Sequence, residues 1–146
     1  MKKITIYTDG SSLGNPGNGG WGAILIYNDI KKEISGNAKN VTNNQMELLA
    51  AINSLKTLKE KCEVTLITDS TYVKNGITLW IKNWEKNNWQ SANKKPVKNK
   101  ELWQELANLN NQHQVKWQWV KGHSGDKYND LVDNLARSAA EELNNN

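Results

Sequence analysis

Cysteine is nearly absent. Cys62 stands alone among 146 residues, so no internal disulfide can form and metal clusters built on several thiolates are excluded. Long apolar runs are missing too: no stretch approaches the roughly 20 apolar residues that span a bilayer. Lys2-Lys3 leads into an alternating strand rather than the apolar run of a secretory signal. There are no internal repeats and no composition break that would mark a domain boundary. A phosphate-cradling loop is excluded as well: Gly14 and Gly19 have its spacing, but Gly20-Trp21 follows where Lys and then Ser or Thr are needed. These absences leave a soluble, intracellular chain, long enough to bury one core without staples.

What is present begins with Ile4–Thr8, β-branched or aromatic throughout and ending on Asp9. Six of the ten glycines follow between Gly10 and Gly22, and we read that stretch as a long ordered loop, of the kind that more often carries function than not. Trp21–Tyr27 and Lys31–Ala38 read as antiparallel strands about a turn at Asn28-Asp29. Asn43–Glu60 reads as a helix, with Leu48, Leu49, Ile52, Leu55 and Leu58 at helical spacing and Thr42 or Asn43 as its cap. Val64–Thr68 is a short apolar strand that ends at Asp69 as the first ended at Asp9. Helices are expected at Ser70–Gly76, Thr78–Asn88, Lys98–Asn110 and Tyr128–Leu143, with a strand at Val115–Val120 and a frayed tail at 144–146. Strands separated by helices in the second half predict an α/β fold: a five-stranded mixed sheet of three antiparallel N-terminal strands and two further parallel strands, flanked by helices.

Four acids fall where apolar packing can bring them together: Asp9 and Asp69 at strand tips, Glu47 near a helix start, and Asp133 beside Ala136 and Ala140. Singly, each has a plain structural reading as a cap or a first-turn acid. Together they form an acidic cluster that needs cations, since like charges held close raise one another's pKa. Oxygen-only ligands favour Mg²⁺, with Mn²⁺ as a substitute, over zinc. Two such ions about 3.5–4 Å apart suit phosphodiester hydrolysis.

The net charge is +4, from nineteen Lys and Arg against fifteen Asp and Glu. Its distribution says more. Between Lys82 and Lys100 lie six lysines and one glutamate, with Trp80, Trp84 and Trp89 set among or beside them. This is either a solvated helix face over a tryptophan cluster or a surface for nucleic-acid backbone and sugars.

The motifs around these acids resemble type 1 ribonuclease H. They are Thr8-Asp9-Gly10-Ser11, Gly14-Asn15-Pro16-Gly17, Thr42-Asn43-Asn44-Gln45-Met46-Glu47-Leu48, Thr68-Asp69-Ser70, Val120-Lys121-Gly122-His123-Ser124-Gly125, and Asn129 to Ala136. The resemblance implies a ribonuclease H-like fold and one catalytic domain over residues 1–143, with a basic protrusion at about 80–100 and no separate N-terminal hybrid-binding domain. It implies a cytoplasmic, monomeric endonuclease that hydrolyses the RNA strand of an RNA–DNA hybrid by two-metal-ion catalysis, leaving 5′-phosphate and 3′-hydroxyl ends. Asp9 would bridge two Mg²⁺ ions, Glu47 and Asp69 would help hold one, and Asp133 the other. His123 would assist water activation or product departure, whereas His113 matches no catalytic motif. Ser12, Asn15, Thr42, Asn43 and Asn44 would contact the hybrid, and Trp80, Trp84, Lys86, Trp89, Lys94 and Lys95 would grip its DNA strand. Glu85, Asn87 and Asn88 stand where basic residues are common in that family, and Thr71 where a base-contacting glutamine is common. Alternatives from other classes are a catalytically silent nucleic-acid-binding domain and a different two-metal nuclease, integrase-like or Holliday-junction.

Overall fold

The computed structural model describes residues 1–122 and 125–145. Five strands form one sheet in the order β3-β2-β1-β4-β5: β1 (Lys3–Ser12), β2 (Gly17–Tyr27), β3 (Ile30–Val41), β4 (Glu63–Thr68) and β5 (Gln114–Trp119). β1, β2 and β3 pair antiparallel, while β4 is parallel to both β1 and β5. The expected mixed sheet is therefore present, with the crossovers that parallel neighbours require made by helices.

One expectation is corrected here. The glycine-rich stretch is no long loop: β1 continues to Ser12 and β2 begins at Gly17, so only residues 13–16 connect them. Ser12 pairs with Gly19, and the Leu13 N–H donates to the Asn18 carbonyl. Glycine is a poor strand former by side-chain criteria, but main-chain pairing needs no side chain, and packing explains why side chains are excluded. A Cβ on Gly20 would lie 2.1 Å from the Ala136 carbonyl oxygen and 2.5 Å from the Ala140 nitrogen. The glycines let a helix lie directly on the sheet.

That helix is α5 (Lys127–Glu142), which buries Val132, Ala136, Ala139 and Ala140 against the β1–β3 half of the sheet. The opposite face is covered by α1 (Asn43–Lys56), α2 (Thr71–Asn75), α3 (Ile81–Lys86) and α4 (Lys100–Gln112). There Ile6, Leu25, Leu48, Ile52, Leu55, Val64, Leu66, Trp103 and Leu106 form the core. α1 stops at Lys56, four residues short of the expected Glu60. α2 and α3 are joined through a π-helical turn at Gly76–Trp80 rather than broken there. Gly76 acts as a close-approach site, because a Cβ would meet the Trp103 ring at 2.0 Å.

His113 closes the α4–β5 joint: its Nδ1 accepts the Cys62 N–H at 3.1 Å, and burial lowers its pKa. It is a structural residue, neutral in the fold. Among the described residues no helix is long and apolar enough to cross a membrane.

Candidate active site

Parallel register builds the site. Thr8 of β1 stands opposite Thr68 of β4, so Asp9, which lies within β1 rather than at its tip, and Asp69, just past the end of β4, meet at the same level where the parallel pairing ends. Ligands of α/β folds gather at such strand ends. α1 supplies the third acid. Thr42 caps it by a reciprocal pair, its Oγ1 accepting the Gln45 N–H while Gln45 Oε1 accepts the Thr42 N–H, a capping box. This fixes the first turn and carries Glu47 over Gly10, where a Cβ would lie 2.3 Å from the Glu47 nitrogen.

The structure thus brings Asp9, Glu47 and Asp69 together, with one oxygen of each within 4.8 Å of the others. Asp9 and Glu47 are almost fully buried, at 4% and 6% exposure. Burial first, and then the Asp69 charge, push the Asp9 carboxyl up to about 8. Burial with the charges of Asp9 and Asp69 raises Glu47 well above the ordinary carboxylate range. The Gly10 N–H donates to Asp9 Oδ1 at 2.9 Å and offsets part of this. Among the described residues Glu47 Oε1 is buried with no hydrogen-bond partner.

Asp133 lies differently. It lines the same cavity, of about 400 Å³, with Ser11, Asn43, Asn44, Thr71 and Tyr72, and its proximity to Asp9 helps raise that carboxyl. It is not one of the three converging oxygens, and its Oδ2 accepts from Arg137 Nη2. A larger hollow of about 590 Å³ lies at the other end of the strands, around Lys3, Glu63 and Gln114, away from the acids.

The remaining expected residues fall into two groups. Asn43 and Asn44 line the cavity. Asn15 sits beside them, its Oδ1 accepting the Asn43 N–H at 3.0 Å, so Asn15 and Thr42 perform capping chemistry at the cavity's edge. Ser12 is held in the β1–β2 ladder. Trp80, Trp84 and Trp89 stand apart from the cavity in an aromatic pile with Tyr72 and Trp103, ring centroids 5.2–5.9 Å apart. They pack against the core, and Trp103 is wholly buried. Lys86, Lys94 and Lys95 project from this region, exposed. His123 lies outside the described residues. Two neighbours of the acids escape the sequence reading. Trp119 Nε1 donates to the Asp69 carbonyl at 3.0 Å, an interaction between strand ends that no local pattern encodes. Arg137 lies four residues after Asp133, a spacing that does announce a helical ion pair.

A mixed sheet with acids where the parallel pairing of two adjacent strands ends, and more acids from the flanking helices, defines a ribonuclease H-like hydrolase. Comparison with known proteins names the family. The RNase H family model matches residues 1–141. The chain is 57% identical over 138 residues to the Ribonuclease H of Wolbachia sp. subsp. Drosophila simulans (strain wRi), covering 94% of this chain and 95% of that one. Among solved structures it is similar to LC9-RNase H1, a type 1 RNase H with the type 2 active-site motif, at TM-score 0.90 and 29% identity, covering 97% of this chain and 74% of that one. It also shares its fold with a foamy viral protease-reverse transcriptase solved in complex with RNA/DNA hybrid, at TM-score 0.77 and 20% identity, covering 97% of this chain and 20% of that one. The chain belongs to the RNase H family, enzymes that hydrolyse RNA in RNA–DNA hybrids.

Proposed function

We propose that this protein is a cytoplasmic, monomeric endonuclease that cuts the RNA strand of RNA–DNA hybrids by two-metal-ion catalysis, leaving 5′-phosphate and 3′-hydroxyl ends. The observation that carries the reading is the orphaned, buried Glu47 Oε1 within a group of three converging carboxylates. Buried acids are costly unless paired or bound to a cation, and this donor set is hard oxygen, suited to Mg²⁺ with Mn²⁺ as a substitute. Asp9, Glu47 and Asp69 would hold one ion, and Asp9 with Asp133 the other. When bound, the ions supply a deprotonated water at neutral pH and neutralise charge on the leaving oxygen.

The chain's own residues do the rest. Asn43 and Asn44, at the cavity mouth on the capped start of α1, would meet the sugar edges, where 2′-hydroxyls in the wide minor groove distinguish RNA from DNA. Asn15 and Thr42 would anchor a DNA phosphate beside them, and Ser12 would contact the hybrid backbone. His123 would move a proton to or from water or product. The exposed Lys86, Lys94 and Lys95 would neutralise phosphates of the DNA strand, while the outer edges of Trp80, Trp84 and Trp89 offer apolar area for sugars.

Asp9→Asn, Glu47→Gln and Asp69→Asn test the assignment. Each removes a ligating charge with little change in volume, so hybrid cleavage should vanish while circular dichroism stays that of the wild type. A variant that cleaves at near wild-type rates removes its residue from the site.

A further inference from the structure

We propose that Arg137 is the resident counter-cation of Asp133 and competes with a divalent ion for that carboxylate, which makes it a positioning residue for the fourth acid. The inference rests on the metal-dependent reading of the site. Arg137 is the only arginine among the nineteen basic residues, and it is spent here. One helical turn beyond Asp133 on α5, its Nη2 donates to Asp133 Oδ2. Its side chain is 49% exposed, while that of Asp133 is only 23% exposed. Neither of the two buried acids, Asp9 and Glu47, has a lysine or arginine ion partner among the described residues. Asp133 is thus placed between a buried acid, Asp9, and a permanent cation.

An arginine suits this post better than a lysine. Its charge persists at any working pH, and its planar fork fixes the direction of the carboxylate it holds. With no ion bound, the fork keeps Asp133 aimed and balances its charge. An incoming divalent ion must share the carboxylate with the guanidinium or displace it. Both the direct competition and the nearby positive charge act in one direction: they weaken ion binding at the Asp133 end. The plainer reading, an i,i+4 pair that merely steadies α5, predicts an effect on folding alone.

The experiment is a Mn²⁺ titration of the protein without nucleic acid, reading free ion by electron paramagnetic resonance, for wild type, Arg137→Gln and Arg137→Lys. The pair is half-exposed, so both variants should fold. Arg137→Gln should bind Mn²⁺ about 2- to 5-fold more tightly, the scale of a partly exposed charge interaction, and the Mn²⁺ concentration for half-maximal hybrid cleavage should fall in step. Arg137→Lys keeps the charge and should stay close to wild type. Unchanged or weaker binding in Arg137→Gln overturns the proposal, as does equal tightening in both variants. Failure of wild type to bind Mn²⁺ at all would instead remove the metal reading beneath it.

Discussion

Asp9 is held in the fold at a cost set by protonation. Its carboxyl sits at about 8, against an ordinary 3.8, so between those values the folded chain keeps a proton that the unfolded chain releases. Stability then falls as pH rises: the metal-free protein should lose thermal stability from about pH 4 to about pH 8 as Asp9 ionises, with the raised Glu47 adding to the fall. Asp9→Asn removes the titration, so its melting temperature in EDTA should fall less across that window and exceed the wild type's near the upper end. Saturating Mg²⁺ should flatten the wild-type curve, because the ions favour the ionised form. Melting temperatures against pH decide it, and parallel curves for the two proteins would contradict it. Asp9 and Asp69 were legible in the sequence because each follows a short apolar run, Ile4–Thr8 and Val64–Thr68, and parallel register then makes them neighbours. The Asp133 arrangement was only half legible. Its helix position could be read, but its place outside the three converging oxygens depends on how α5 packs on the sheet, which no local pattern encodes.

Among the elements, the hairpin at residues 13–16 read as a longer loop because strand propensity is judged by side chains, and Gly17, Gly19, Gly20 and Gly22 have none. Their strand assignment comes from tertiary demand: α5 rests on Gly20 and Gly22, where a Cβ on Gly22 would meet Leu135 Cβ at 2.7 Å. Strand direction, antiparallel in the first half and parallel in the second, was readable from the alternation of apolar runs and helices. The continuous passage from α2 to α3 was not, because Gly76 read as the end of one helix, whereas it is the point of close approach to Trp103, 27 residues away. Gly20→Ala tests the packing. With backbone atoms of α5 at 2.1 and 2.5 Å from the new methyl, the helix must shift. The overpacking should cost about 1–3 kcal/mol in urea unfolding and carry Asp133 with it, so hybrid cleavage at saturating Mg²⁺ should drop below what the folded fraction explains. Wild-type stability and rate together would show that β2 and α5 do not touch as described.

At the scale of the molecule, charge is divided by position: acids converge at one end of the sheet, and exposed lysines crowd the segment from Lys82 to Lys100. Neutralising Lys86, Lys94 and Lys95 together should weaken hybrid binding and reduce the log–log salt slope by about 0.9 for each phosphate that no longer meets a lysine. Turnover at saturating substrate should hold, because these side chains lie outside the cavity and meet phosphates equally before and during reaction. Michaelis constants against salt give the answer, and parallel lines for wild type and variant would mark this segment as a solvated face over the tryptophan pile. One side-by-side assay reads substrate choice and metal dependence together: end-labelled RNA–DNA hybrid, double-stranded DNA and double-stranded RNA, each incubated with the protein in Mg²⁺ or in EDTA. A two-metal ribonuclease H should cut the hybrid's RNA strand alone, and only with the metal. Cleavage of duplex DNA, cleavage in EDTA, or binding of the hybrid without any cleavage would contradict this reading.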